Sequence, residues 1–180
     1  MSYQSQVIPG LCIIVAMTTA DRVIGKEGRI PWNLPSDRKH FLELTMEHPC
    51  IMGRRTWESL PDRYRPLPGR TNIVITSQRG YDAPGANVAD SIDQALKIAS
   101  LSPGNERICG IGGEMLYRAL ISRADTLYVT FVNATKIEGD THFPAFNNRF
   151  WICDRRSATR RWEVGDEYLS TFAVFKRQVP

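Results

Sequence analysis

The sequence predicts an α/β domain with a mixed sheet. Short apolar runs alternate with stretches of helical periodicity, the pattern of strands joined through helices. Leu11 to Met17 is apolar almost without a break, as a central strand covered on both faces must be. The last two strand-like segments have no helical segment between them, so an antiparallel hairpin is expected to end the sheet.

Taken in order, residues 1–10 are a short extension that stops at Pro9-Gly10, before the first strand. Thr18 to Leu34 is a connection rich in Gly, Asp and Pro, and loops of that length inside a compact domain are usually functional. Pro35 suits the first position of a helix, where its missing N–H would be unpaired anyway; this helix runs to about Glu47, before Pro49. Cys50 to Gly53 is a short strand entering a short helix, Thr56 to Leu60, and Thr71 to Ser77 is the next strand. Ser91 caps a helix to about Ala99, with Gln94 completing a capping box. Arg107 to Ile111 is a strand, and Gly112-Gly113 opens the helix Glu114 to Ile121. Thr126 to Val132, Phe150 to Arg155 and Ser170 to Arg177 bring the total to about seven or eight strands and four helices.

The 180 residues are one domain's worth of chain, with no internal repeat and no linker. At 42% hydrophobic and 23% charged, the composition excludes disorder and low complexity. A net charge of +4 fits anionic small molecules at least as well as nucleic acid. Cys12, Cys50, Cys109 and Cys153 lie dozens of residues apart without a C-x-x-C pair, so reduced thiols in a cytoplasmic protein are expected. No apolar run spans a bilayer, and the first residues lack the basic start and apolar middle of a signal peptide. His40, His48 and His142 form no ligand-spaced set, so no catalytic metal is expected.

The stretch I30-P-W-N-L-P-S-D-R-K-H-F41 carries the most chemistry. Asp37 falls in the first turn of its helix, and Phe41, four residues on, shares its face. Trp32 and Leu34 arrive from the preceding loop. A carboxylate among apolar side chains suits a flat heteroaromatic ligand with an amidine-like pair of N–H donors, which the two oxygens grip together. Alone, an acid in a first turn complements the helix dipole, and aromatics at helical spacing are usually core.

The wider set of motifs closely resembles the dihydrofolate reductase family. D21-R-V-I-G25, P31-W-N-L-P35 with Asp37, I51-M-G-R-R-T-W-E-S59, P66-L-P-G-R70, G110-I-G-G113 with Tyr117, and E138-G-D-T-H-F-P144 occur in the family's order. They span almost the whole chain. The resemblance implies a three-layer fold with a mainly parallel eight-stranded sheet flanked by helices and an antiparallel C-terminal strand. It implies NADPH-dependent reduction of 7,8-dihydrofolate to tetrahydrofolate, sensitivity to diaminopyrimidine antifolates, and a monomer that binds neither nucleic acid nor membrane.

Residue by residue, the resemblance makes Asp37 the active-site acid, assisted by Trp32 and Ile30. Val15, Ala16, Phe41, Leu60, Leu67, Ile111 and Thr130 then line the substrate, and Arg70 pairs with the α-carboxylate of the glutamate tail. The nucleotide falls to Ala16, Ile24, Gly53, Arg54, Arg55 and Thr56, to Ser77, Gln78 and Arg79, and to Ile111, Gly112, Gly113, Glu114, Met115, Leu116 and Tyr117. Arg54 is the first choice for the 2′-phosphate, with Ser77 and Arg79 next. The loop from Ala20 to Pro31 is implied to close over the nicotinamide and to contact Gly139-Asp140.

Three features depart from the family's pattern. Glu114 and Met115 stand where many relatives have a basic residue, Pro61 to Arg65 is longer, and Arg38-Lys39 adjoins Asp37. Arg38 is either solvated or directed toward the glutamate tail. Two other readings compete. One is a pyrimidine reductase of the same fold, disfavoured by Asp37, Phe41 and Arg70 together. The other is a nucleic-acid module suggested by R155-R-S-A-T-R-R161, a run expected to be a solvated turn.

Overall fold

The predicted central strand is β1, Leu11–Thr18, buried throughout except for half-buried Ala16. The computed structural model describes residues 6–147 and 149–178, so Met1–Ser5 of the expected N-terminal extension lie outside it. The described chain contains β2 Val23–Gly25, α1 Pro35–Thr45, β3 Cys50–Gly53, α2 Arg54–Ser59 and β4 Asn72–Ile75. There follow β5 Asn87–Ala89, α3 Ile92–Ser100, β6 Ile108–Gly110, α4 Glu114–Leu120, β7 Thr126–Val132, β8 Thr141–His142, β9 Trp151–Arg161 and β10 Ser170–Arg177. Eight strands form one sheet in the order β5-β4-β3-β6-β1-β7-β10-β9.

The chain divides into two compact units. The first takes the N-terminal residues through Ile13 and Thr45–Asp125. Its pairings β1/β6, β6/β3, β3/β4 and β4/β5 are all parallel. Ser91 accepts a hydrogen bond from the Gln94 N–H as predicted, but the Gln94 side chain accepts from Asp90 N–H, one residue before the usual capping-box partner. Cys12, Cys109 and Cys50 stand in register across β1, β6 and β3, with the first two Sγ atoms 3.7 Å apart. Contact with Cys109, together with burial, pushes the Cys12 and Cys50 thiols up, so both stay protonated and pack as small apolar groups.

The second unit takes Ile14–Leu44 and the residues from Thr126 onward. β10 pairs antiparallel with β7 and with β9, the predicted terminal hairpin. Two expectations need correction. The connection from Thr18 to Leu34 is not structureless, because β2 lies within it, pairs antiparallel with β8, and is followed by a bridge between Lys26 and Arg29. The Arg-rich run is not a turn either, since β9 continues through it to Arg161. There, residues 155–158 stand opposite Ala173 alone, and the Ser157 hydroxyl accepts from Val174 N–H at 2.8 Å. β9 is the sheet edge, and arginines on an edge discourage pairing with another chain.

Candidate active site

α1 starts where Pro35 sets the helical φ and the Leu34 carbonyl accepts the first helical bond, from Arg38 N–H at 3.2 Å. One of the turn's free N–H groups, that of Ser36, is met from outside the helix. Asp166, in the loop before β10, accepts from Ser36 N–H at 3.0 Å and from Glu163 N–H at 2.8 Å. Burial pushes the Asp166 carboxyl up, but these donors and nearby Arg38 outweigh it and hold it below the usual carboxylate range.

Asp37 is the third residue of this helix and is half-buried, ringed by protein yet still open to solvent. Burial raises its carboxyl above the ordinary value. The Thr130 hydroxyl, donating from β7, and the Arg38 guanidinium oppose that rise, whereas the Asp166 charge adds to it. A carboxylate costly to keep charged while empty gains most from a ligand that brings N–H donors or positive charge. Trp32 and Leu34 are buried with Val132 and Ala134, and half-buried Ala16 packs on them. Val15 is buried, Phe41 is half-buried, and Ile30 is 63% exposed. His40, next on α1, stacks on Phe172 with centroids 4.2 Å apart; burial lowers its pKa, Arg161 lowers it further, and Glu43 opposes.

The glycine-containing loop meets the segment the resemblance named. Glu27 N–H donates to Asp140 Oδ2 at 2.8 Å, Asp140 N–H to the Gly25 carbonyl at 3.1 Å, and Lys26 to Glu138 at 3.2 Å. A Cβ on Gly139 would lie 2.2 Å from Val23 Cγ1 and 2.7 Å from the Gly25 oxygen, so only glycine fits. Ile24 is half-buried on β2.

In the first unit, two strand-to-helix turns meet. Gly53 N–H donates to the Gly112 carbonyl at 2.7 Å. The Gly112–Gly113 peptide is cis, and Gly112 has φ +125°, which favours glycine. Added Cβ atoms there would come within 3.4 Å of Thr56 Oγ1, and the one on Gly112 within 3.3 Å of the Tyr117 hydroxyl. Two peptide backbones therefore lie bare side by side, as close approach of a phosphate requires. Tyr117 and Leu116 are buried, so Leu116 offers a ligand only its backbone; Met115 is 81% exposed, and Glu114 pairs with Arg118. Arg54 donates to both Glu58 oxygens, at 2.9 and 3.0 Å, while Arg55, Ser77, Gln78 and Arg79 are exposed.

Arg70 follows a turn in which Gly69 has φ +69°. Its Nε donates to the Pro68 carbonyl and its Nη1 to Thr45 Oγ1, both at 2.9 Å, which fixes the guanidinium plane. Leu67 is buried with its backbone clasped by the Asn72 amide, and Leu60 and Ile111 are half-buried. The longer segment forms a 3-10 turn, Asp62–Tyr64, closed by an Arg65–Asp62 ion pair at 2.6 Å. Arg38, an exposed residue, donates to Asn33 Oδ1 at 2.7 Å.

The dihydrofolate reductase family model matches residues 10–177. The chain belongs to the dihydrofolate reductase family. It is 39% identical over 168 residues to the type 3 dihydrofolate reductase of Salmonella typhimurium, covering 93% of this chain and 99% of that one. It is 43% identical to the Bacillus subtilis enzyme over 132 residues, 73% of this chain and 74% of the other. A dihydrofolate reductase from Enterococcus faecalis, solved in complex with NADP(H) and RAB-propyl, superposes with a TM-score of 0.82 at 34% identity, covering 98% of this chain and 99% of that one. As a dihydrofolate reductase, the chain catalyses NADPH-dependent reduction of 7,8-dihydrofolate to tetrahydrofolate. The family binds dihydrofolate and NADPH and is inhibited by antifolates. Among the described residues, no helix is long and apolar enough to cross a membrane, and no group of three or more His, Cys, Asp or Glu could hold a metal ion.

Asp166 escaped the sequence reading, since E163-V-G-D166 carries no motif and its role exists only once the loop meets α1.

Proposed function

We propose that Asp37 is the residue on which the reduction turns. Its carboxylate takes the 2-amino group and adjoining ring N–H of the pteridine as a two-pronged hydrogen bond and favours the protonated, electrophilic substrate. The observation that carries this reading is a half-open carboxylate, held costly by burial and steadied by Thr130 and Arg38. NADPH, when bound, supplies the hydride that goes to C6, and N5 gains a proton through water. The resemblance assigns to the substrate Val15, Ala16, Phe41 and Thr130 of the second unit and Leu60, Leu67 and Ile111 of the first, and to the reacting rings exposed Ile30 and Trp32. Arg70 holds the glutamate α-carboxylate, for which a planar guanidinium is the matching partner.

The bare backbone at Gly53, Gly112 and Gly113 fits a pyrophosphate, with Thr56 beside it. Ile24, Arg55, Gln78 and the segment from Glu114 to Tyr117 complete the nucleotide's surroundings. Arg54 remains the first choice for the 2′-phosphate. Its pair with Glu58 is a surface i,i+4 contact worth roughly 0.3–0.5 kcal/mol, which a phosphate dianion readily displaces. The chain passes between its two units three times, at 13/14, 44/45 and 125/126, which supports a single catalytic domain. A monomer, a cytoplasmic location and inhibition by diaminopyrimidines, whose amidine fork suits Asp37, belong to the same reading.

The test is Asp37→Asn, followed by stopped-flow hydride transfer from NADPH to dihydrofolate at neutral pH. A loss of orders of magnitude with an unchanged circular dichroism spectrum supports the assignment. Near-normal transfer overturns it.

A further inference from the structure

The first turn of α1 is flanked by two opposite charges that the family's reaction does not itself call for. We propose that Asp166 and Arg38 are positioning residues for Asp37, one capping its helical turn from the loop before β10 and the other tethered to the loop residue Asn33. Together they would fix where Asp37 sits and how firmly it holds its charge. The proposal rests on the role of Asp37 given above and adds two residues to it.

Position comes first. Asp166 is buried, and its two oxygens are spent on Ser36 N–H and Glu163 N–H, so it clamps the residue immediately before Asp37 to a loop distant in sequence. Arg38, immediately after Asp37, reaches back to Asn33 Oδ1 at 2.7 Å. Asn33 is itself pinned: its N–H donates to Glu167 at 2.8 Å, its side-chain amide to the Gly165 carbonyl at 3.2 Å, and its carbonyl accepts from Glu167 N–H at 3.0 Å. The residues on either side of Asp37 are thus tied to one loop, residues 163–167, by separate routes.

Charge comes second. The groups bearing on Asp37 are Thr130 from β7, Arg38 on its own helix and Asp166 from the loop. Arg38 favours the Asp37 carboxylate and Asp166 disfavours it. Neither needs to touch substrate to act. Because the two oppose each other, removing either should move the titration of Asp37, and in opposite directions. A role confined to shape would not do this.

The experiment follows the Asp37 carboxyl carbon by NMR titration of ¹³C-aspartate-labelled, ligand-free enzyme, its signal assigned by its loss in Asp37→Asn. The pH profile of hydride transfer is measured on the same variants with NADPH bound. Arg38→Gln is expected to move the midpoint up and Asp166→Asn to move it down. Arg38→Lys, which keeps the charge, should stay near the wild-type midpoint. Asp166→Asn keeps one acceptor oxygen, which serves Ser36 N–H or Glu163 N–H but not both, so the fold of this variant is checked by its circular dichroism spectrum before its midpoint is read. Unmoved midpoints in both charge-removing variants, or shifts in the same direction, overturn the proposal. Full activity of Asp37→Asn would instead overturn the role of Asp37, so the two failures are separable.

Discussion

Gly139→Ala tests the loop that carries Ile30. The added methyl would stand 2.2 Å from Val23 Cγ1 and 2.7 Å from the Gly25 carbonyl oxygen. Both partners lie on β2, and one is main chain, so a side-chain rotation cannot relieve the clash. The segment from Glu138 to Asp140 must move away from β2. That movement strains or breaks the Asp140–Gly25 and Glu27–Asp140 hydrogen bonds and the 3.2 Å Lys26–Glu138 pair. Overpacking of this kind costs about 1–3 kcal/mol. At about 2–4 °C per kcal/mol for a chain of this size, the melting temperature should fall by about 2–12 °C. Hydrogen exchange at the Glu27 and Asp140 amides should accelerate while the β7/β10 amides stay protected. Hydride transfer should slow more than dihydrofolate binding weakens, because the loop, not the carboxylate, has been loosened. An unchanged melting temperature with both amides still protected would refute the argument that glycine is required there.

Arg70→Ala should weaken dihydrofolate by roughly 10- to 150-fold, the worth of one charge-assisted contact, and leave pteridine fragments without glutamate almost unaffected; equal losses in a binding titration would contradict the tail role. Arg54→Ala should raise KM for NADPH far more than for NADH, and an unchanged ratio would move the 2′-phosphate contact to Arg79 or Ser77. Asp37 also makes stability depend on pH. Its folded pKa is raised, so its ionisation costs nothing below the usual carboxylate value and its full penalty above the folded one. Asp37→Asn should therefore unfold at higher temperature than the parent protein at pH 7 without ligand, and that gain should vanish in acid. A gain that persists below pH 3 would rule out the charge as its source.

The parts of the fold legible in the sequence are those whose burial imprints a pattern. Leu11–Thr18, Cys50–Gly53 and Thr126–Val132 are largely buried, and their apolar runs announce them. β2, β5 and β8, of three, three and two residues, are too short to show any period. The second half of β9 is exposed, so its arginines look like a turn although its backbone still pairs with β10. At the candidate site, Asp37, Arg70 and the glycine turns stand out in the sequence because the order of the motifs constrains them. Asp166 and the Arg38–Asn33 bond do not, because those contacts join residues whose types are common anywhere on a protein surface. Trp32 illustrates the limit in the other direction: the motif order assigns it to the chemistry, and it is also part of the buried cluster with Leu34, Val132 and Ala134.

The central claim is that a single half-buried acid grips the heterocycle. The most direct measurement is a crystal structure with NADP⁺ and folate bound. The account predicts both Asp37 oxygens about 2.7–2.9 Å from the ring's amino and N–H groups. An Asp37 side chain turned to solvent, with the heterocycle held by other residues, would contradict it.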